Sequence, residues 1–353
     1  QKSEKINKKG KLIIGAFFVL ALGFVITAPF FAKNQQKLNI YGYSEYLSNE
    51  VIAEFEKETG IDISLDYYND NEELLAKLKM GVTGYDIIFP SGYMVKLMIQ
   101  EGLLARMNTD SIPNRSYISS EFLKMNYDTT GMYYIPYAYG YSGIVYNSNF
   151  VKDSIVSWSA LWDPRYKGKI TMIDEMNETF FVAYRILGYD FEKDTARLNE
   201  ARDLLIRQKP LLKKYESNNM EALMQSEDVW IAHSWNGMMF RLSAGDPKFK
   251  SVIPQEGVLF WIDNMCIPSS SQHKESAERF INFLLRPDNS AKNMKAINFA
   301  MPNDSARKLL DPAIRDNTII FPETANSSQL QVLEDKGLFN RKIDRAWTEV
   351  KVH

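Results

Sequence analysis

The chain has 353 residues, with 45% hydrophobic and 24% charged positions and a formal charge of −2. That is enough apolar material for two domains with separate cores, and the balance excludes a disordered chain. The body is mildly acidic and carries no basic stripe, which excludes nucleic acid as the partner and suits a cationic solute.

The first segment differs from the rest. Lys5, Lys8, Lys9 and Lys11 precede an uncharged run from Leu12 to Ala32, and polar Lys33-Asn34-Gln35-Gln36 follows. Residues 1–36 therefore read as an export signal cleaved near Ala32 or as a retained membrane anchor. The run exceeds the usual apolar core of a signal peptide, but Pro29 interrupts it and Phe30-Phe31-Ala32 is a poor cleavage site, so both readings stand. A lipid anchor would need a cysteine just after the run, and the only cysteine is Cys266. A lone cysteine also excludes an internal disulfide, and its setting in Asn264-Met265-Cys266-Ile267 reads as a buried strand position with an inert thiol. Residues 1–32 hold five lysines and one glutamate, so without them the formal charge moves from −2 to −6.

From Lys37 onward strands and helices alternate without repeats or long linkers. Leu38 to Tyr41 reads as a short strand. Ser48 caps a helix with Val51, Ile52 and Phe55 on one face, and Gly60 stops it. Ile61, Ile63 and Leu65 alternate with polar residues as the next strand. Asn71 starts a helix with Leu74, Leu75 and Leu78 inward, and Tyr85 to Phe89 is a strand ending in the turn Pro90-Ser91-Gly92. This order predicts a parallel sheet with helices on both faces, whose ligands bind beyond the carboxyl ends of strands. The loops with Tyr43-Ser44-Glu45-Tyr46 and Ser91-Gly92-Tyr93 fall there. An aromatic, Gly-broken extended segment from Tyr133 to Tyr146 predicts a crossing into a second α/β region that begins around Trp158. A second crossing is expected near Phe260 to Pro268, before a helix from Glu275 to Leu285 with Ala277, Phe280, Ile281 and Leu284 at helical spacing.

No pair of His or Cys has metal-ligand spacing, and neither a phosphate-cradling glycine loop nor a Gly-x-Ser-x-Gly elbow is present, so no cofactor is expected. His233 reads as a structural imidazole. Glu175 and Glu178 stand three residues apart after the strand Ile170 to Ile173; on the first turn of a helix they project to one side, where the positive helix end favours them. Taken alone they are helix-start charge, or the acid pair of a hydrolase, although glycosidase acids flank a bond from opposite sides. Trp235 and Trp261 follow strand-like runs, and Tyr43, Tyr46, Tyr93 and Phe299 lie in loop contexts. Any one ring reads as core. Rings and acids together, with few bases, are what a linear diamine or triamine requires: carboxylates for the ammonium groups, ring faces for the methylenes and the charge.

Seven segments, in this order, resemble the periplasmic spermidine/putrescine-binding proteins of bacterial ABC importers: Tyr43 to Tyr46, Phe89 to Tyr93, Trp158 to Gly168, Asp174 to Glu178, Ser234 to Gly237, Phe260 to Asp263 and Phe283 to Asp288. The resemblance implies a two-lobed α/β periplasmic-binding-protein (Venus flytrap) fold with crossing strands, lobe one being 37–140 and 262–309 and lobe two 141–261 and 310–353. It further implies polar and ring contacts from Ser44, Glu45 and Tyr46, with Tyr43 and Ser91 in the same loops and Tyr93 as a wall. Glu175, Glu178 and Asp263 would meet ammonium groups, Trp235 and Trp261 would sandwich the carbon chain, Ser217 would add a minor contact, and Gln331 or Gln329 would close one end. The chain departs from the family at Tyr43, where Trp is usual, at Glu175, where spermidine binders have Asp, and at Phe299, where a Tyr hydroxyl is common. Implied partners are the polyamine and a membrane permease with its ATPase, the protein acting as a periplasmic, exported monomer that touches the membrane only through its N-terminal segment and the permease. A receptor of the same fold for another solute, a hydrolase using Glu175 and Glu178, and an anchored sensor are the alternatives.

Overall fold

Ser48 and Gly60 bound the first helix as their chemistry dictates. The Ser48 hydroxyl accepts from the Val51 amide, and Gly60 closes the helix in the left-handed region at φ 70°. The computed structural model describes residues 36–81, 84–322, 330–333 and 337–353, so the apolar run Leu12 to Ala32 and Gln329 lie outside the described residues.

In chain order the first unit is β1 (Lys37–Gly42), α1 (Asn49–Thr59), β2 (Asp62–Tyr67), α2 (Asn71–Lys79), β3 (Ile87–Ile88) and α3 (Gly92–Gln100). Its three strands are parallel in the order β2-β1-β3. Alternation along β1 sends Leu38 and Ile40 to the face that Val51 and Phe55 of α1 cover. Tyr41 goes to the opposite face, with Leu74 and Leu78 of α2 and Met98 of α3. The expected strand Tyr85 to Phe89 shrinks to two residues because the Asp86 carboxylate, not a main-chain carbonyl, accepts the Asn39 amide at 2.9 Å. Likewise α2 begins at Asn71, but its cap is Asp70, whose carboxylate accepts from the Glu73 amide at 2.7 Å.

The second unit contains β4 (Ile135–Asn147), β5 (Ile170–Met172), α4 (Met176–Ile186), α5 (Leu198–Gln208), β6 (Leu212–Tyr215), α6 (Met220–Gln225), β7 (Ile231–Trp235), α7 (Asn236–Gly245), β8 (Phe249–Val252) and β9 (Val258–Met265). Two helices, α8 (Lys274–Leu284) and α9 (Pro287–Ile297), follow, and β10 (Leu330–Val332) and α10 (Leu338–Val352) end the chain. The larger sheet runs β10-β9-β4-β7-β5-β6, with β8 paired to β4. Trp158 to Trp162 form a 3₁₀ turn in which the buried Trp158 indole donates to the Gly257 carbonyl at 2.8 Å.

Both expected crossings are strands. From Ile135 to Tyr141, β4 pairs antiparallel with β9, and from Ser142 to Asn147 it pairs with β7 and β8. At its far end β9 reaches the first unit through bridges from Asp263 to Ser91 and from Cys266 to Ile88. Two sheets joined by β4 and β9 make the two-lobed α/β architecture. The C-terminal helix packs on the second unit, where Trp347 meets Tyr215 edge-on at 4.8 Å.

Candidate functional site

Between the two units lies a cavity of about 550 Å³, within the ordinary range for a small-molecule pocket. The β1–α1 turn, the N-termini of α2, α3, α4 and α7, and β9 all border it. Tyr43, Ser44, Glu45, Tyr46, Ser91, Tyr93, Glu175, Glu178, Ser217, Trp235, Trp261, Asp263 and Phe299 line this space. Gln331 does not: its amide donates to Asp190 at 3.3 Å, and the next two residues, Val332 and Leu333, reach the cavity instead. On the parallel strand β10 neighbouring side chains point to opposite faces, so Val332 looks inward where Gln331 looks away, and Leu333 follows just past the strand's end.

Asp263, the one acid on β9, is buried, 6% exposed. The Tyr46 hydroxyl donates to Oδ2 at 2.7 Å and the Ser91 hydroxyl to Oδ1 at 2.6 Å. Burial pushes its carboxyl up to about 6, with those two hydrogen bonds pulling the other way. Trp261, two residues earlier on the extended strand, lines the same cavity. Its ring packs against the backbone of β4, where a Cβ on Gly140 would stand 2.5 Å from the indole, and Phe299 meets it edge-on at 5.1 Å. The Trp261 Nε1 is buried without a hydrogen-bond partner.

Across the cavity, Glu175 and Glu178 differ from each other more than their spacing suggests. Glu175 is the N-cap of α4, in extended backbone, and its carboxylate folds back to accept from the amides of Asn177 at 3.1 Å and Glu178 at 2.7 Å. It is therefore a capping group at the cavity edge and not a first-turn residue projecting beside Glu178. Glu178 is buried, accepting from the Ser142 hydroxyl of β4 at 2.6 Å and from the Trp235 indole at 3.2 Å. That places the Trp235 ring on the cavity wall. His233, fully buried, packs edge-on against Trp158, with Nε2 3.7 Å from Glu178. Ser217 supports the same wall, its hydroxyl accepting from the Asp174 amide at 3.1 Å.

Two groups in or beside the cavity carry no expectation from the sequence. Asn71 bonds Tyr43 and Ser91. Glu72 accepts from the Tyr93 hydroxyl at 3.1 Å, and burial together with Asp70 pushes it up to about 7. Burial and the facing Glu72, then Glu178, push Glu175 up to about 8. An acid of the first unit thus raises an acid of the second. The acid-rich loop Asn69-Asp70-Asn71-Glu72 was the available signal, but it also reads as an ordinary helix start.

Cys266 is buried at the end of the β9 run and its thiol is pushed up by burial, away from reactivity. Among the described residues no cluster of three or more His, Cys, Asp or Glu side chains is placed to hold a metal ion.

Residues 50–322 match the family model described as bacterial extracellular solute-binding protein. The chain is 32% identical to the spermidine/putrescine-binding periplasmic protein of Escherichia coli strain K12 over 327 residues, covering 91% of this chain and 93% of that protein. Among solved structures, the spermidine/putrescine ABC transporter substrate-binding protein PotD from Streptococcus pneumoniae superposes with a TM-score of 0.76 at 31% identity, over 90% of this chain and 99% of that one. The TpPotD lipoprotein of Treponema pallidum gives 0.81 at 26% identity, over 90% and 100%. The matched span takes in both crossing strands and every segment that borders the cavity except the β1–α1 turn and the end of the chain from β10, and on that ground the chain belongs to the bacterial extracellular solute-binding proteins.

Proposed function

We infer that the protein captures a linear polyamine, spermidine or putrescine, outside the cytoplasm and delivers it to an ABC permease driven by an ATPase. The charge of the cavity supports this reading above all. Glu45, Asp70, Glu175, Glu178 and Asp263 line it against one base among the described lining residues, Arg241, whose Nε is paired with Glu221 at 2.8 Å. Of these, burial pushes up Glu175 and Asp263, and the cost of ionising them is what an ammonium group removes. In this reading Asp263 and Glu178 take ammonium groups, and Trp235, Trp261 and Phe299 cover the methylenes. Lobe one is 37–140 with 262–309 and lobe two 141–261 with 310–353, closing as a monomer about β4 and β9.

A hydrolase is the weaker reading, because Glu175 is held on a helix terminus while Glu178 is held by Ser142 and Trp235, both on one side of the space. Calorimetric titration of protein lacking residues 1–32 with putrescine, spermidine, spermine and cadaverine tests the proposal. At least one amine is expected to bind at micromolar strength or tighter, about −8 kcal/mol or better. No heat with any of the four, alongside heat with an amino acid or a sugar, overturns it.

A further inference from the structure

Asn71 opens α2 and is 7% exposed, at the centre of a polar cluster in the cavity wall. The Ser91 backbone amide, 3.0 Å away, can only donate, so the Asn71 atom that faces it is Oδ1. The other end is therefore Nδ2, and its two hydrogens go to the Tyr43 hydroxyl and to Ser91 Oγ, each at 3.1 Å. With Oγ receiving that hydrogen, the Ser91 hydroxyl turns its own proton to Asp263 Oδ1 at 2.6 Å. One backbone amide without an alternative thus sets every donor direction up to the carboxylate. The cluster also joins three elements, α2, the residue before α3, and the crossing strand β9.

We propose that Asn71 is a positioning residue of the binding site: by fixing the donor direction through Ser91 it holds the Asp263 carboxylate in one orientation, with its remaining lone pairs left to a bound ammonium. The inference rests on the polyamine reading. A ligand need not touch Asn71 for this, because its effect passes through Ser91.

The test is calorimetry with putrescine and spermidine between pH 5.5 and 8.5, on wild type, Asn71→Ala, Ser91→Ala and the double variant. Each single variant is expected to lose about tenfold in affinity at neutral pH, the scale of one hydrogen bond to a charged group. In both, the pH at which binding is half lost is expected to rise, since Asp263 then gives up its proton less readily. The double variant is expected to lose no more than the weaker single, because both changes break one chain of bonds. A purely structural role would lower the melting temperature and leave the pH profile in place. That result overturns the proposal, as do losses that simply add. Should Asn71→Ala not fold, Ser91→Ala keeps the backbone amide on Asn71 and reads the relay by itself; an unmoved pH profile there is equally fatal. A wild type that gives no heat with either amine overturns the polyamine reading and this inference with it, whereas a wild type that binds and variants that match it overturn the role of Asn71 alone.

Discussion

Asp263 shows how packing prepares a carboxylate on a strand for the role proposed for it. Two hydroxyl donors partly offset its burial, and Trp261 is placed beside it by the two-residue repeat of the strand. Replacing Asp263 by Asn keeps the shape but leaves a buried ammonium without its counter-charge, which is expected to weaken binding by about 2–5 kcal/mol, roughly thirtyfold to several thousandfold. Trp261→Leu retains apolar cover and is expected to cost less, on the order of 1–2 kcal/mol. Titration and melting of both variants check this. An affinity change under about threefold for Asp263→Asn, paired with a lower melting temperature of the empty protein, would reassign the residue to a structural role. The shared placement of this pair on the cavity was legible in the sequence because it depends on a local repeat.

At the scale of elements, the decisive piece is β4, which changes partners from β9 to β7 and β8 within one run. Gly140 sits at that change. A Cβ there would stand 2.3 Å from Asn236 Oδ1 and 2.5 Å from the Trp261 ring, and neither neighbour is free to yield. Asn236 is bonded to the Ile319 carbonyl at 2.9 Å, and the indole is packed against Phe299. Gly140→Ala is therefore expected to destabilise the empty protein by about 1–3 kcal/mol and to weaken binding as well, since the displaced ring walls the cavity. Gly245→Ala, at the end of α7 with nothing within 4 Å of its Cβ, is the control and is expected to leave both unchanged or slightly improved. Equal melting temperatures for the two variants would mean that the crossing tolerates the extra methyl.

For the whole molecule, the relevant electrostatics act between the lobes. Glu72 raises Glu175 across the cavity, and together with Asp263 these groups are pushed up to about 7, 8 and 6. Acids raised in this way bind more protons in the folded, empty protein than in the unfolded chain, from the ordinary carboxylate range near about 4 up to the folded values. Their contribution to stability therefore falls as the pH rises through that window. A cationic ligand reverses the sign, because it favours the ionised acids. The rise in melting temperature on adding putrescine is accordingly expected to be larger at pH 8 than at pH 5. At neutral pH, binding is expected to release protons, seen as a calorimetric heat that varies with the ionisation enthalpy of the buffer. A shift as large at pH 5 as at pH 8, with heats independent of buffer, would remove these carboxylates as partners of the ligand.

Local chemistry was enough to read the alternation of elements, the caps at Ser48 and Gly60, the two crossings and the company of acids and rings, because periodicity, capping and ligand chemistry all act through neighbouring residues or residue types. The directions of single side chains were settled only by tertiary packing. Gln331 turns to Asp190, and Asn71 and Glu72 come to stand in or beside the cavity although the sequence marks them only as a helix start. The physical reason is that Asn71 meets Ser91 only when α2 and the turn before α3 pack together within one unit, and Glu72 faces Glu175 only when the two units face each other: helical spacing tells which face a residue occupies, and what stands opposite that face is decided by tertiary contact.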